Sequence, residues 1–179
     1  PFGNADFGDP FEIFEQFFGG GFRSQNRVPR YSIELEFMEA VKGVEKTVSL
    51  DGKSRKIKIP AGVDEGTRIN FNDFVLSVNI RPHKTFERDN ADIYVNLDIP
   101  YSTAVIGAEV EVATVEKPVK IKIRPGTRGG TMMRLRGVGI KRLRGSGKGD
   151  QYIRINVQVP EKLTREQKTL IEELKREGL

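Results

Sequence analysis

The chain has 179 residues, 37% of them hydrophobic, with 30 basic and 25 acidic side chains. That is enough apolar material for a buried core, yet no run approaches the roughly 18 to 20 residues a membrane-spanning helix needs, and no signal peptide is visible. The lack of cysteine excludes disulfides and thiolate metal sites and fits a reducing, cytoplasmic setting. Without a methionine at position 1, a fragment of a longer protein is expected.

The first 22 residues hold seven of the eleven phenylalanines and the glycines Gly3, Gly8, Gly19, Gly20 and Gly21, the composition of a tether; residues 1–27 are assigned as a Gly/Phe-rich linker. Asp9 and Pro10 make a helix start, Phe11, Phe14 and Phe18 follow at helical spacing, and Gly19 to Gly21 stop the helix. So short a helix is unstable alone.

Beyond Arg27 the period becomes two. Tyr31, Ile33, Leu35 and Phe37 alternate with Ser32, Glu34 and Glu36, the pattern of a half-buried strand. Val44, Val48 and Leu50 continue on a second strand, with Lys46 at an inward-type position. Asp51-Gly52 is a strong hairpin signal, and Lys53 to Ile59 returns until Pro60 ends it. Phe74 to Ile80 forms another strand before Pro82.

The segment from Tyr31 to Thr67 then lies over Val95 to Thr131 without a gap. Ala40, Val41, Gly43 and Glu45 fall on Ala104, Val105, Gly107 and Glu109. Lys56 to Ile59, Gly62, Gly66 and Thr67 fall on Lys120 to Ile123, Gly126, Gly130 and Thr131. Two copies of one small fold are implied. Asp150 to Val157 echoes Asp73 to Ile80 after a thirteen-residue insertion. Lys117 to Gly149 holds eleven basic residues and no acid; either it attracts the acidic remainder of the chain, or it meets an anionic partner, nucleic acid or an acidic peptide. Nucleic acid would be held through Arg134, Arg136, Lys141, Arg142, Arg144 and Lys148, although that loop has no aromatic to stack on bases.

After Pro160, Thr164 and Gln167 suggest a capping box, and Leu170, Ile171 and Leu174 share one helical face. That stripe needs a partner, its own domain or a second chain. No catalytic constellation stands out. His83 lacks a second metal ligand or a nucleophile and reads as structural. Arg144 to Asp150 misses the phosphate-loop pattern, which requires glycine at Arg142 and Ser or Thr at Gly149. Neither an enzyme nor a cofactor is expected.

The ordered motifs resemble the carboxyl-terminal region of DnaJ-type J-domain co-chaperones. They are Phe37 to Gly43, Lys58 to Val63 with Gly66-Thr67, and Pro82-His83 with Phe86 and Arg88. They continue through Asp92-Ile93-Tyr94, Ala104 to Ala108, and Gly149-Asp150-Gln151-Tyr152 leading to Pro160. Asp9 to Phe14 resembles the linker that follows the J-domain. The sequence includes neither a J-domain with its His-Pro-Asp tripeptide nor the zinc-binding cysteine repeats, so the resemblance is to the zinc-free class B, which includes DNA-binding CbpA-like members. By itself the fragment is not expected to stimulate a DnaK-type ATPase. The segment from Gly66 to Asp73 is shorter than the family pattern.

The resemblance implies a mainly β fold: two tandem homologous β-sandwich-like domains, residues 28–89 and 90–161, followed by a short dimerisation helix at 162–179. It implies binding of unfolded clients in the first domain, in a groove lined by Tyr31, Ile33, Val48 and Leu50 with Phe86 closing one side. It also implies delivery to a DnaK-type chaperone whose acidic tail meets Lys46, and a homodimer through Leu170, Ile171 and Leu174. Phe11, Phe14 and Phe18 are candidates to compete with clients for that groove.

Overall fold

The computed structural model describes residues 28–178; the linker assigned to residues 1–27, with Phe11, Phe14 and Phe18, lies outside them. The first copy runs β1 (Arg30–Leu35), α1 (Phe37–Lys42), β2 (Val44–Leu50), β3 (Lys53–Ile59), β4 (Arg68–Asn70) and β5 (Val75–Ile80). After β6 (Glu87–Asp89) the order repeats as β7 (Asp92–Pro100), α2 (Tyr101–Ile106), β8 (Ala108–Val112), β9 (Val119–Ile123), β10 (Met132–Leu135) and β11 (Gln151–Gln158). Helix α3 (Arg165–Arg176) closes the chain. The fold is mainly β, as the alternation predicts.

Each copy sets a small sheet against a two-stranded hairpin. In the first, the sheet order β1-β5-β4 accompanies hairpin β2-β3; in the second, β10-β11-β7-β6 accompanies β8-β9. The central pairs β1/β5 and β7/β11 are parallel, and Tyr31 stands opposite Leu76 as Val95 stands opposite Ile153. The glycines that coincide in sequence do the same work: Gly66 N–H donates to Val78 O at 2.9 Å and Gly130 N–H to Ile155 O at 2.7 Å. The hairpin turn at Asp51-Gly52 has both residues at positive φ, 50° and 73°, the geometry that matches strand twist.

Each copy has its own core. Leu35, Ile57, Ile59, Val63, Phe74, Leu76 and Val78 fill the first, while Ile99, Val112, Ile121, Ile123, Ile153 and Ile155 fill the second. A third cluster joins them, with Phe37, Val41 and Phe86 packed on Ile93, Val95, Val115 and Ile140. Each such side chain contributes about 1.5–3 kcal/mol on burial, so the junction is a packed interface rather than a linker. The strand β6 pairs antiparallel with β7, so the second sheet begins before the turn that joins these two strands.

The short helices depart from the sequence reading, which carries the first strand through Phe37. The chain turns at Glu36, whose N–H donates to the Glu39 carboxylate at 2.9 Å, and Phe37 rolls into the junction. Gly43 ends the turn at φ +77°, where a β-carbon would meet Ala61 N at 2.8 Å. No described helix is long and apolar enough to cross a membrane.

Candidate functional site

β1 is the edge of its sheet. Its counterpart β7 is covered on the corresponding side by β6, whereas no strand pairs with the outer side of β1 among the described residues. A free edge offers backbone N–H and C=O groups to an added strand.

Apolar side chains lie beside that edge, and comparison of the two copies shows how open they are. Tyr31, Ile33, Val48 and Leu50 are half-buried and pack on the first core from outside. The second-copy residues that coincide with Tyr31, Val48 and Leu50 are Val95, Val112 and Thr114, exposed by 4%, 1% and 8%. Only Leu97, the counterpart of Ile33, stays half-buried. The second copy covers Val95 with α1 and the insertion; the first copy has no preceding described domain to do so.

Aromatic groups extend this face. The Tyr31 hydroxyl donates to the Asp51 carboxylate at 2.6 Å, a bond that pushes its phenol pKa up, and its ring meets Phe74 edge-on at 5.8 Å. Phe71 stacks on Phe74 at 4.5 Å. Arg55, paired with Asp73 at 2.5 Å, lies over the Phe74 ring at 5.6 Å. Arg55, Phe71, Asp73 and Phe74 line a shallow depression of about 290 Å³ at the β4–β5 connection, which lacks the insertion of the second copy. Where the first copy places Phe74, the second places the fully buried Gln151, whose Nε2 donates to Ala113 O at 2.8 Å.

The other expected positions fall as follows. Phe86 does not close the groove: it stacks on Phe37 at 5.8 Å inside the junction, a separate cluster from Tyr31, Ile33, Val48 and Leu50. Packing between the copies takes up its ring. His83 accepts at Nδ1 from Thr85 N–H and Phe86 N–H, at 3.1 and 3.3 Å, and so holds the turn. Lys46 is paired with Glu39 at 2.7 Å, and that hydrogen bond holds the Glu39 carboxyl below its ordinary pKa.

The basic segment is partly neutralised. Arg134 lies on β10 rather than in the loop and pairs with Asp150 at 2.6 Å; Lys148 pairs with Glu116. Arg136, Lys141, Arg142 and Arg144 are exposed and have no acidic partner among the described residues. The loop is anchored from inside by fully buried Ile140. On α3 the capping box is formed, with Thr164 N–H donating to Gln167 Oε1 at 2.9 Å and Gln167 N–H to Thr164 Oγ1 at 3.2 Å. Leu170, Ile171 and Leu174 are exposed, and no described residue of the helix is buried.

A family model described as the DnaJ C terminal domain matches residues 29–160. The chain belongs to the DnaJ C-terminal domain family. It is 33% identical to Chaperone protein DnaJ 2 of Thermus thermophilus over 97% of this chain and 67% of that protein. It is 29% identical to Chaperone protein DnaJ of Acetivibrio thermocellus over 95% of this chain and 69% of that protein. Identity to Chaperone protein DnaJ of Burkholderia thailandensis is 37%, over 69% of this chain and 36% of that protein.

One structural position of this DnaJ C-terminal pair escaped sequence reasoning. Arg88 reaches from the junction to Val63 O at 2.6 Å, Gly62 O at 3.1 Å and Asn90 O at 2.6 Å, fastening the two copies. Burial pushes its guanidinium pKa down, with Asp64 opposing. The only signal was its place after Phe86 in a family motif, which gives no role.

Proposed function

We propose that the first copy holds exposed apolar segments of non-native proteins. An extended segment adds to the free edge of β1 and sets alternate side chains against Tyr31, Ile33, Val48 and Leu50, the recognition mode in which backbone bonds give affinity and apolar seats give selectivity. The observation that carries this reading is the asymmetry between the copies: the strand edge flanked in the second is free in the first, and Tyr31, Val48 and Leu50 are half-buried where their counterparts Val95, Val112 and Thr114 are covered. The kinship with DnaJ chaperones supports a co-chaperone role rather than an enzymatic one.

The grip is weak by construction. Two client side chains at roughly 1.5–3 kcal/mol each, less ordering costs, give micromolar-scale affinity or weaker, which suits a holder that passes its client on. In the full-length protein the recipient is a DnaK-type chaperone, whose acidic tail meets Lys46 after displacing Glu39. A homodimer joined through α3 brings two weak edges to one client and raises apparent affinity without new contacts. Replacing Ile33 and Leu50 with serine is expected to abolish suppression of client aggregation while the thermal transition persists. A folded double variant with full holding activity would defeat the proposal.

A second reading is favoured by the four exposed cations Arg136, Lys141, Arg142 and Arg144. They form a surface for nucleic-acid phosphates, with affinity falling steeply as salt rises. Mobility-shift titrations at two salt concentrations test it; no shift at low salt removes it.

A further inference from the structure

Each copy faces its sheet with a hairpin whose two strands pair only with each other among the described residues, so side chains decide how tightly the two layers close. At the hairpin tips the copies differ. In the first copy the Tyr31 hydroxyl donates to the Asp51 carboxylate at 2.6 Å, and Arg55 pairs with Asp73 at 2.5 Å. Among the described residues these are the polar links between hairpin and sheet, and both reach solvent. The repeat puts Val95 and Val115 where the first link stands, and Val119 in place of Arg55. Val95 and Val115 are buried in the junction with Phe37, Val41 and Phe86. Asp150, the counterpart of Asp73 by strand register, is bonded instead to Arg134 and the Gly137 amide. Apolar packing closes the second tip, whereas a solvent-facing clasp holds the first.

We propose that this clasp is a gate: the tip of hairpin β2–β3 swings away from its sheet and admits an aromatic client side chain onto Phe74. This rests on the reading of β1 and its apolar row as the client site and adds how that site opens. Exposed ion pairs and hydrogen bonds hold weakly, because water competes for both partners, so the first tip parts more readily than one closed by buried valines. The two links also cover the floor of the site. Phe74 is 4% exposed, with the Tyr31 ring edge-on at 5.8 Å and the Arg55 guanidinium over its face at 5.6 Å. Lifting the hairpin takes Arg55 off that face and frees the Tyr31 ring to turn aside. A client ring then packs on Phe74 in their place, in the edge-on or offset geometry that aromatic pairs favour. Val48 and Leu50 ride on the same hairpin, so the opening widens the row they form with Tyr31 and Ile33. The base stays fixed, since Ile57 and Ile59 are buried in the first core. The closed state hides Phe74 between clients, and a client draws out the open state by binding it better.

The chain has no cysteine, so a single introduced thiol reports the opening in the whole chain. Leu76 stands opposite Tyr31 beside the clasp and Val78 opposite Ile33, and both are fully buried. The thiol of Leu76→Cys should react with iodoacetamide at a rate that low urea leaves unchanged, as local opening does, and roughly tenfold or more faster than that of Val78→Cys. Adding Tyr31→Phe and Arg55→Met, which keep a ring and an apolar stem, should speed the Leu76→Cys reaction by roughly fivefold or more. In stopped flow, the same pair of substitutions should speed association of a fluorescent extended peptide with alternating Leu and Phe by a similar factor. That arm needs no cysteine and stands even where a core thiol disturbs folding. A Leu76→Cys thiol in a folded chain that reacts no faster than Val78→Cys overturns the opening. Association unchanged by Tyr31→Phe with Arg55→Met overturns the gate and leaves the groove in place. Association that persists in Ile33→Ser with Leu50→Ser overturns the groove reading itself, and the gate with it.

Discussion

Gly62 lies against the backbone carbonyl of Lys141 so closely that a β-carbon at position 62 would stand 2.0 Å from that oxygen. Gly62 belongs to the turn after β3 in the first copy, and Lys141 to the insertion of the second. The basic insertion is therefore fastened to the first copy rather than free, with Ile140 buried beside it and Arg88 bonded to the Gly62 carbonyl from the junction side.

Gly62→Ala is expected to break this contact. The residue has φ +84°, so alanine adds backbone strain to a clash with main chain, together about 2–4 kcal/mol. Gly66→Ala separates the two effects: its φ is +70° with nothing within 4 Å of the added carbon, and strain alone should amount to about 1 kcal/mol. Comparison of their urea midpoints reads the difference.

Arg88→Met should destabilise the chain by about 2–4 kcal/mol, because three carbonyl oxygens lose a charged donor. Arg88→Lys retains the charge but not the planar fork, and should recover only part of the loss. Denaturant titration of both variants gives the comparison.

Asp150 couples the insertion to pH. Its carboxylate accepts from Gly137 N–H at 2.7 Å and from Arg134 at 2.7 Å, and these bonds, the Gly137 amide first, hold its pKa below the ordinary 3.8. A depressed acid contributes stability that is fully present above its ordinary value and is lost as pH falls through the lower, folded value. The Gly137 amide resonance should therefore titrate with a midpoint below pH 3.8, and Asp150→Asn should flatten the curve.

Glu39→Gln should increase binding of an acidic peptide tail in the proposed role of Lys46. The substitution removes the charge that now occupies the lysine ammonium but keeps a side chain of the same shape. Lys46→Ala should lose the binding, and fluorescence anisotropy with a labelled acidic peptide reads both.

The sequence's repeat, its strand alternation and the Asp51-Gly52 turn were enough to lay out the two copies, because period and turn chemistry are local. Helices α1 and α2 were not legible: six residues are too few to display a helical period, and Phe37 satisfies the strand pattern equally well. At the candidate site, Tyr31, Ile33, Val48 and Leu50 could be picked out by alternation, but alternation does not tell covered from open. That distinction depends on β6 flanking β7 and on α1 packing against Val95, relations between distant segments. The place of Phe86 depended on the same junction, since only the folded chain brings Phe37 to its ring.

The most direct measurement is photo-crosslinking from single positions to an unfolded client. A photoreactive side chain at Val48 in the first copy is compared with one at Tyr94 on the exposed face of the second sheet, using the whole chain and one client. Adducts at position 48 that outnumber those at position 94 at least tenfold, and that an excess of apolar peptide suppresses, are the predicted result. Equal labelling of both positions, or adducts confined to the second copy, would contradict the account.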